Sequence, residues 1–497
     1  MSKRGSLVSS SRADKISYIL NLIDKEYVDK VNKDTLSDKA IVGLLNELDP
    51  HSVYLTADVV KQENESLEGH FYGIGVQFRV SGDSIIVVRT IKGGPSDKVG
   101  ILAGDRILKV NGKAFHNLTN DTVLHYLKGE KNSKVRLSVY RKGVKDLVDF
   151  VVTRDKIETK AVSFFGMLNK NTGYIKLSEF SATAHEEVAQ ALQSLKGKGM
   201  NQLIFDLRGN GGGYLSEAIK IADEFIGKGD LIVYTQGRRQ GRSDNFATSG
   251  GLFEEGKLIV MIDELSASAS EIVSGCIQDN DRGTIIGRRT FGKGLVQEQI
   301  PLPDKSAIRL TVARYYTPSG RCIQRPYISG DPDQYYEEFL ERYANMEANA
   351  DTLNHDPKLR YKTKKGRIVY GGGGIEPDIN IPYSALKVSP SYSKLLKNGL
   401  IYKYCFDYVD ANRKSFSQYS SGDDFLKRYN VDNNMFISML NSAANSGVKK
   451  QYLTEKEKKE IKLLMKSYIA QNLYGDKYFH IIYNNIDVEL QKALTYF

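Results

Sequence analysis

The chain has 497 residues, 41% of them hydrophobic, which is enough for two or three domains that each bury a core of their own. Its net charge of +10 comes from 70 basic and 60 acidic residues that are mixed along most of the sequence. A local basic run, residues 358–367, has no nucleic-acid-binding motif beside it, so we interpret it as a solvated loop and expect no nucleic-acid partner. The three cysteines are too few and too scattered for a disulfide framework, and they do not define the compartment.

Neither a signal peptide nor a transmembrane segment is predicted in this chain. The N-terminal stretch MSKRGSLVSSSRADK carries basic residues without an apolar segment behind them. A run of about 18 apolar residues, the length that crosses a bilayer, occurs nowhere in the sequence.

Residues 1–68 are predicted to form a helical N-terminal region. A first helix is indicated by apolar residues at helical spacing, namely Ile16, Ile19, Leu20, Ile23 and Tyr27. A second helical pattern covers Leu36 to Leu48, and Asp49 and Pro50 end it.

Residues 69–156 contain many short strand patterns separated by glycine turns and one helix near Thr122 to Leu127. The segment Gly73-Ile74-Gly75-Val76 resembles the carboxylate-binding loop of PDZ domains. Successive backbone N–H groups in such a loop can converge on a carboxylate, and an extended peptide can then add to the neighbouring strand edge. A glycine turn in an ordinary hairpin is the simpler alternative.

From residue 157 onward, strand and helix patterns alternate, which is typical of an α/β domain. A strand over Leu203 to Leu207 runs into a glycine loop, Arg208 to Gly213. A simple tight turn is one interpretation of this loop. It does not match the dinucleotide-binding fingerprint, because Tyr214 stands where that motif needs glycine.

Ser268 is the candidate nucleophile. It follows a buried strand pattern, Gly256 to Ile262, and precedes a helical pattern that starts near Glu271. At such a junction the free N–H groups and the dipole of the helix can stabilise negative charge, as acyl transfer requires. The alternative is a purely structural capping box, in which Ser268 caps the helix and Glu271 reciprocates.

Lys293 is the candidate base. It lies between two glycines in the segment TFGKG, which is unlike a solvated charged surface. A free lysine with a pKa of about 10.4 cannot accept a proton at neutral pH, but burial can lower that pKa by roughly 3–5 units. The segment from Gly287 to Lys293 also matches the start of a phosphate-binding loop, G-x-x-x-x-G-K. However, Gly294 stands where that motif needs Ser or Thr, and a strand pattern follows where the motif needs a helix.

The segments FDLRGNGGG, SASASEI and TFGKGLVQ together resemble the carboxyl-terminal processing (tail-specific) serine proteases, over residues from about 15 to 383. The resemblance implies a Ser268–Lys293 catalytic pair with Gln297 orienting the lysine. It also implies an oxyanion site formed by the N–H groups of Gly212 and Ala269, and no metal or cofactor. Gly211 replaces a proline that is frequent in the family, which leaves the identity of the donor glycine open.

The remaining parts of the chain are predicted to be a polar, partly mobile excursion at about residues 333–365 and a helical C-terminal domain over residues 386–497. Helical patterns occur around Leu426, from Thr454 to Leu473 and from Val488 to Leu494. Thr454 and Glu457 form a capping-box pattern. The catalytic core is accordingly assigned to residues 157–385.

The expected fold class is multidomain α/β, with a β-rich PDZ module, a crotonase-like α/β protease core and helical terminal regions. The expected function is that of a serine endopeptidase that selects protein substrates by free, apolar C-termini. A catalytically silent PDZ scaffold is the alternative, and self-association stays open. The resemblance further implies a periplasmic or cell-envelope location and removal of a signal peptide.

Overall fold

The computed structural model describes residues 12–115, 119–347, 356–383, 388–448 and 452–497. Parts of the predicted N-terminal region (1–11) and of the predicted excursion (348–355) lie outside these ranges. No helix within them is long and apolar enough to cross a membrane.

The N-terminal region is a helical hairpin followed by a strand and a third helix. Its elements are α1 (Arg12–Glu26), α2 (Lys33–Asn46), β1 (Val53–Leu55) and α3 (Ala57–Leu67). The Asn32 side chain caps α2 by accepting the N–H of Thr35. Helix α3 has no buried residue, so packing contributes little to its position.

The next module is a strongly β-rich domain. Its elements are β2 (His70–Gly73), β3 (Val76–Ser81), β4 (Ser84–Thr90), α4 (Pro95–Lys98), β5 (Arg106–Val110), β6 (Lys113–Ala114), α5 (Asn120–Leu127), β7 (Lys134–Tyr140), β8 (Val148–Thr153) and β9 (Asp155–Glu158). The main sheet has the order β3-β4-β5-β7-β8, so β3 is an edge strand, while β2 pairs with β9. One face of the sheet and α5 enclose an apolar core that includes Ile85, Val87, Val123 and Leu137.

The α/β core follows, and its elements are β10 (Val162–Met167), β11 (Thr172–Leu177), α6 (Ala184–Lys196), β12 (Gln202–Asp206), α7 (Leu215–Asp223), β13 (Leu231–Gly237), β14 (Ser243–Phe246), β15 (Lys257–Ile262), α8 (Ala269–Asp279), β16 (Thr284–Gly287), β17 (Leu295–Pro301), β18 (Ala307–Tyr316), α9 (Pro332–Glu347), β19 (Arg360–Lys362), β20 (Ile368–Tyr370) and β21 (Ile379–Asn380).

The central sheet of this core has the order β10-β11-β12-β15-β16-β21. Strands β11, β12, β15, β16 and β21 are parallel, and β10 is antiparallel to β11. Near-continuous apolar runs such as Lys257–Ile262 suit strands that are buried on both faces. Helices α6, α7 and α8 pack on one face around the largest apolar cluster of the described residues.

A second sheet has the order β1-β18-β13-β14, with β17 also paired to β18. The long strand β18 therefore joins the N-terminal region to the core. Residues 332–347 form helix α9 and residues 360–370 form a hairpin, both ordered elements of the core. The predicted excursion thus contains regular secondary structure, and Tyr335 of α9 is buried. The mobility of the excursion stays a prediction.

Within residues 388–448 and 452–497, the C-terminal part contains seven helices: α10 (Pro390–Lys397), α11 (Leu400–Phe416), α12 (Gly422–Arg428), α13 (Asn433–Asn445), α14 (Glu455–Tyr474), α15 (Asp476–Tyr483) and α16 (Val488–Leu494). The Thr454–Glu457 capping box is present at the start of α14. Most of these helices enclose their own apolar cluster. Residues of α15 and α16 instead cover the second face of the central sheet.

Candidate active site

Three loops of the core converge because they leave the carboxyl ends of neighbouring parallel strands, β12, β15 and β16. Polar contacts tie them together. The N–H of Gly209 donates to Asp263 Oδ1 at 2.9 Å, and the N–H of Ala267 donates to the carbonyl of Asn210 at 3.0 Å. The N–H of Phe291 donates to the carbonyl of Ser266 at 3.0 Å. Residues far apart in sequence, among them Ser268 and Lys293, thereby share one site.

Ser268 occupies the N-cap position of α8 in a strained backbone conformation. Its φ of 54° and ψ of −111° are unusual for a residue with a side chain. Such strain lifts the serine out of the regular strand-to-helix connection, as is common at functional positions. The N–H of Ala269, in the first turn of the helix, has no hydrogen-bond acceptor in the described part of the chain.

Glu271 joins the serine loop to the lysine loop. Its side chain is fully buried and accepts the N–H of Ser268 at 2.8 Å, that of Gly292 at 2.8 Å and that of Lys293 at 2.9 Å. The hydroxyl of Thr290 donates to the same carboxylate at 2.6 Å. Burial raises the pKa of Glu271 to about 7, although these donors favour the ionised form. The capping-box residue of the sequence analysis therefore also holds the backbone of the candidate base.

Tyr315 contacts the same two loops from β18. Its hydroxyl lies 2.6 Å from the carbonyl oxygen of Lys293 and 3.1 Å from that of Ser268. Its own N–H donates to the carbonyl of Gly294 at 3.0 Å, and only 1% of the residue is exposed. Hydrogen bonds thus hold the backbone around Lys293 in place, so that only the lysine side chain can change its conformation.

The ε-amino group of Lys293 is poised to be neutral. Burial lowers the pKa of Lys293 to about 8, and the positive charge of Arg309 acts in the same direction. Among the residues that the structure describes, no acceptor or carboxylate forms a hydrogen bond or ion pair with Nζ. An unpaired, partly desolvated amine of this kind can accept a proton from a hydroxyl group.

The glycine loop approaches Ser268 very closely. A side chain at Gly212 would place its Cβ 2.9 Å from the Cβ of Ser268, and the φ of Gly212 is +110°. The prediction that the Gly212 N–H binds an oxyanion needs correction, because this N–H already donates to Asn210 Oδ1 at 2.9 Å. Gly212 and Tyr214, on either side of Gly213, both bond to Phe180: the Gly212 carbonyl accepts the N–H of Phe180, and the N–H of Tyr214 donates to the Phe180 carbonyl. In such a bridge the N–H of the middle residue, Gly213, points away from Phe180.

Gln297 lies on β17 near Lys293, but the predicted contact between the two side chains is not made. The Gln297 amide donates to the carbonyl of His51 instead. His51 is surrounded by Phe291 and Tyr335, and burial together with the charge of Lys293 lowers its pKa to about 4. The segment before β1 is therefore part of the wall around the lysine, which the sequence did not reveal.

The candidate residues border a common cavity of about 1240 Å³. It is lined by Ser268, Ala269, Lys293, Gln297 and Tyr315 and by the glycines from Gly211 to Gly213. Residues of α3 line the opposite side, among them Glu63 and Leu67. A cavity of this size, open to an extended chain, suits a polypeptide substrate better than a small molecule.

The predicted carboxylate loop lies at the end of β2 and the start of β3. Gly75 has a φ of +72°, and a side chain there would meet Ile157 at 3.0 Å and Pro95 at 3.2 Å. The carbonyls of Ile74 and Gly75 accept the N–H groups of Ser96 and Ile91, each at 3.0 Å. The loop is thereby held in a turned conformation at the entrance of the β3 edge.

Comparisons with known proteins agree with this arrangement. Family models match at residues 171–334 (peptidase family S41), 73–152 (PDZ domain), 2–59 (activating protease CtpB N-terminal domain) and 391–475 (a family of unknown function). A carboxy-terminal-processing protease of Bartonella bacilliformis is 38% identical over 318 residues, which cover 63% of this chain and 73% of the relative. The carboxy-terminal processing protease CtpA of Bacillus subtilis is 32% identical over 326 residues, covering 65% and 69%.

The chain belongs to the carboxy-terminal-processing protease family. It is a serine-type peptidase that carries a PDZ domain. Among solved structures, a photosystem II D1 C-terminal processing protease is 24% identical and covers 76% of this chain and 95% of its own, with a TM-score of 0.39, a likeness too low to define the fold.

Helix α3 bridges the PDZ domain and the core of the protease across the catalytic cavity. On the PDZ side, Lys61 pairs with Glu130 at 2.6 Å and Glu65 with Lys128 at 2.9 Å. On the core side, Glu63 pairs with Arg309, and the Ser66 hydroxyl donates to Glu179 at 3.0 Å. Ion pairs and a hydrogen bond therefore attach this helix on both sides, and its sequence pattern did not predict these contacts.

Helix α9 supports the lysine loop of the protease from outside. Arg342 donates to the carbonyl of Thr290 at 3.1 Å, and Phe339 packs on Phe291 with ring centroids 4.9 Å apart. The guanidinium of Arg325 lies 4.0 Å from the ring centroid of Tyr335. The spacing of Tyr335, Phe339 and Arg342 on one helical face is the signal that could have identified this support.

Proposed function

We propose that this protease is an endopeptidase in which Ser268 attacks the scissile carbonyl and Lys293 accepts the serine proton. The observation that carries the proposal is the shared cavity in which a strained Ser268 and an unpaired Lys293 are held by the same carboxylate, Glu271. When the tetrahedral intermediate collapses, the protonated Lys293 gives its proton to the leaving amine and becomes neutral again. It then takes a proton from the water that attacks the acyl-enzyme and returns it to the Ser268 oxygen as the product acid leaves.

The oxyanion of the tetrahedral intermediate is assigned to two backbone donors. The N–H of Ala269 has no acceptor among the described residues, and it belongs to the first turn of α8, where the helix dipole favours negative charge. We assign the second donor to Gly213 in place of Gly212, because the Gly212 N–H is engaged by Asn210. Gln297 contributes by fixing the segment at His51, which encloses Lys293.

Substrates are selected by their free C-termini. The N–H groups of the loop Gly73-Ile74-Gly75-Val76 are suited to a carboxylate, and β3 offers an unpaired edge for the tail. Val76 and Phe78 pack against the apolar core that also contains Val123 and Leu127. The side chain of the last substrate residue enters this apolar surrounding, so tails that end in an apolar residue are favoured.

The test uses one unfolded substrate whose apolar C-terminus is a free acid, an amide or extended by a terminal Asp. The free acid should be cleaved fastest, since amidation removes the bound charge and Asp brings a second carboxylate into apolar surroundings. The Ser268→Ala variant should cleave none of them. Equal cleavage of all three substrates by the unmodified chain would refute selection by tails, and cleavage by Ser268→Ala would refute the nucleophile. Binding of the free-acid tail without any cleavage by the unmodified chain would favour the PDZ scaffold.

Action in the periplasm or cell envelope is part of this proposal, and it rests on the family resemblance. Self-association is not required by the chemistry, because every proposed catalytic group comes from one chain. Fractionation of cells and sedimentation of the purified chain test the two points.

A further inference from the structure

A second cavity, of about 320 Å³, lies between the PDZ domain and the C-terminal helices. The lining residues of the PDZ domain are Val76, Gln77, Phe78 and Val88, and those of the C-terminal helices are Tyr402, Gln471, Asn472 and Asp476. The cavity therefore adjoins the first residues of β3, directly after the carboxylate loop.

The C-terminal helices are held firmly against this face of the PDZ sheet. Three arginines of the sheet pair with aspartates of the helices: Arg79 with Asp407 at 3.3 Å, Arg89 with Asp476 at 2.8 Å, and Arg106 with Asp410 at 3.3 Å. Phe406 completes the contact by packing on Ile86 and Val88. The cavity is thus a built feature of a two-domain interface with a defined wall on each side.

The geometry of an added strand places one substrate side chain at this cavity. Successive side chains of a strand point to opposite faces of the sheet. On β3, Val76 and Phe78 pack against the PDZ core. Gln77 lies between them and shares the opposite face with Arg79, which pairs with Asp407 of the C-terminal helices, so the Gln77 side chain is directed to the cavity side. The pairing of β3 with β4 contains one bulge, in which Val88 of β4 has no partner on β3. Because the extra residue lies on β4, the side chains of β3 still alternate between the two faces of the sheet.

A tail bound at β3 with its last side chain in the PDZ core must direct its penultimate side chain to the opposite face. We infer that the C-terminal helical domain forms a subsite for the penultimate residue of the substrate tail. This inference rests on the proposed recognition of free C-termini by the PDZ domain.

The chemistry of the lining defines which side chain fits. Asp476 supplies a carboxylate whose Oδ1 accepts the amide of Gln471 at 2.9 Å and whose Oδ2 accepts Arg89. The side-chain N–H of Asn472 donates to the carbonyl of Tyr468 at 2.7 Å, and within the described residues no donor contacts the side-chain oxygen of Asn472. The subsite therefore offers acceptors to a long side chain that ends in a donor, such as Gln, and repels the isosteric Glu.

The test measures the binding of fluorescent free-acid peptides that differ only in a penultimate Gln, Glu or Ala. The full chain with Ser268→Ala prevents cleavage, and fluorescence anisotropy reports the Kd. The peptide with Gln should bind about fivefold more tightly than the one with Glu, which corresponds to roughly one hydrogen bond. The peptide with Ala should bind more weakly than the one with Gln.

Charge substitutions on the two walls provide the decisive comparison. Gln471→Lys on the helical wall and Gln77→Lys on the PDZ wall should each reverse the preference toward Glu. Gln77 is exposed, so its substitution is safe for folding. Gln418→Lys adds the same charge to an exposed site of the helical domain and should leave the preference unchanged.

A ratio of Gln to Glu binding that stays the same in both wall variants, or that is close to one in the unmodified cavity, would overturn the subsite while tail recognition stands. The C-terminally amidated form of the Gln peptide distinguishes failure of the subsite from failure of C-terminus recognition. If it bound as tightly as the free acid, recognition of C-termini would fail, and the subsite with it.

Discussion

The hydroxyl of Tyr315 lies 2.6 Å from the carbonyl oxygen of Lys293, although 22 residues separate the two in the chain. This contact fixes the backbone from which the amine of Lys293, the proposed base, extends. We expect Tyr315→Phe to lower kcat about 10- to 100-fold with little change in KM, because a misplaced catalytic group can cost up to about 100-fold without affecting substrate binding. Steady-state kinetics on a peptide substrate measure the split.

Tyr316→Phe is the matched control for that substitution. Tyr316 is the next residue on β18, and its ring stacks on Tyr234 at a centroid distance of 4.7 Å, away from the catalytic cavity. Its kcat should stay within about twofold of the unmodified chain, as expected for surface changes. Equal losses in both variants would show that Tyr315 serves the strand and not the lysine.

Substitution of the catalytic pair should abolish hydrolysis and preserve the fold. Ser268→Ala, Lys293→Ala and Lys293→Arg are each expected to be inactive, since a guanidinium stays protonated and cannot act as a base. The double variant Ser268→Ala/Lys293→Ala should be little worse than either single variant, because such groups act as a unit. Circular dichroism verifies folding, and full activity of Lys293→Ala contradicts the mechanism.

The flanking serines are the controls for this prediction. The Ser266 hydroxyl donates to the carbonyl of Leu207 at 2.9 Å, and that of Ser270 to the carbonyl of Asn210 at 2.8 Å. Both are buried supports of the loops. Ser266→Ala and Ser270→Ala should retain part of the activity and lose about 1 kcal/mol of stability each.

Activity should rise with pH, because the base must be neutral to accept a proton. With a pKa of about 8 for Lys293, kcat/KM should increase about tenfold per pH unit up to pH 8 and level off above it. Below pH 7 the slope should steepen as Glu271, with its pKa of about 7, is protonated and loses its role as a common acceptor. His51 does not contribute, since its pKa of about 4 keeps it neutral throughout. A rise centred near pH 10 would show that Lys293 is not perturbed.

A buried charge network should make the C-terminal helices important for stability. Arg208, which precedes the glycine loop, pairs with Glu489 at 2.6 Å and with Asp487 at 2.8 Å. Glu489→Gln removes a charged acceptor shared by the buried Arg208 and Arg288, each of which keeps another carboxylate as partner. Loss of these charge-assisted hydrogen bonds should lower the free energy of unfolding by about 2 kcal/mol. Glu455→Gln, at an exposed ion pair, should leave it almost unchanged. Denaturant titration measures both, and equal effects would contradict the assignment.

The carboxylate loop can be disabled without touching the protease core. A side chain at Gly75 meets Ile157 and Pro95, so Gly75→Leu should distort the loop. We expect this variant to cleave free-acid and amide substrates at equal rates, while a serine-reactive phosphonate still labels Ser268. Gly82→Leu has the same positive φ strain but open space around the side chain, and it should keep the preference for the free acid.

Sequence patterns located the catalytic loops well because parallel strands deliver consecutive loops to one edge of a sheet. The strand before Ser268 was expected over Gly256 to Ile262 and is found over Lys257–Ile262. The helix after it was expected near Glu271 and begins at Ala269. Local periodicity decides such elements, so one stretch of sequence is sufficient to place them.

Contacts between distant segments were not predictable in the same way. The orientation of the Gly212 N–H depends on a backbone φ of +110°, which the residue type permits but does not dictate. The partner of Gln297 is a carbonyl near the N-terminus, and Tyr315 reaches the site from a strand beyond it. Helix α9 was missed because its charged residues outnumber the few aromatic residues that anchor it.

The attachment of α3 has a consequence for the response of the protease to ionic strength. Every residue of this helix is at least partly exposed, and charge pairs hold it to both the PDZ domain and the core. At 1 M salt the Debye length falls to about 3 Å, and exposed charges that lie farther apart than this are largely screened from each other, whereas apolar packing persists. Salt should therefore loosen the wall of the catalytic cavity well before it affects the domains on either side. How readily a polypeptide enters the cleft then depends on the ionic composition around the protein.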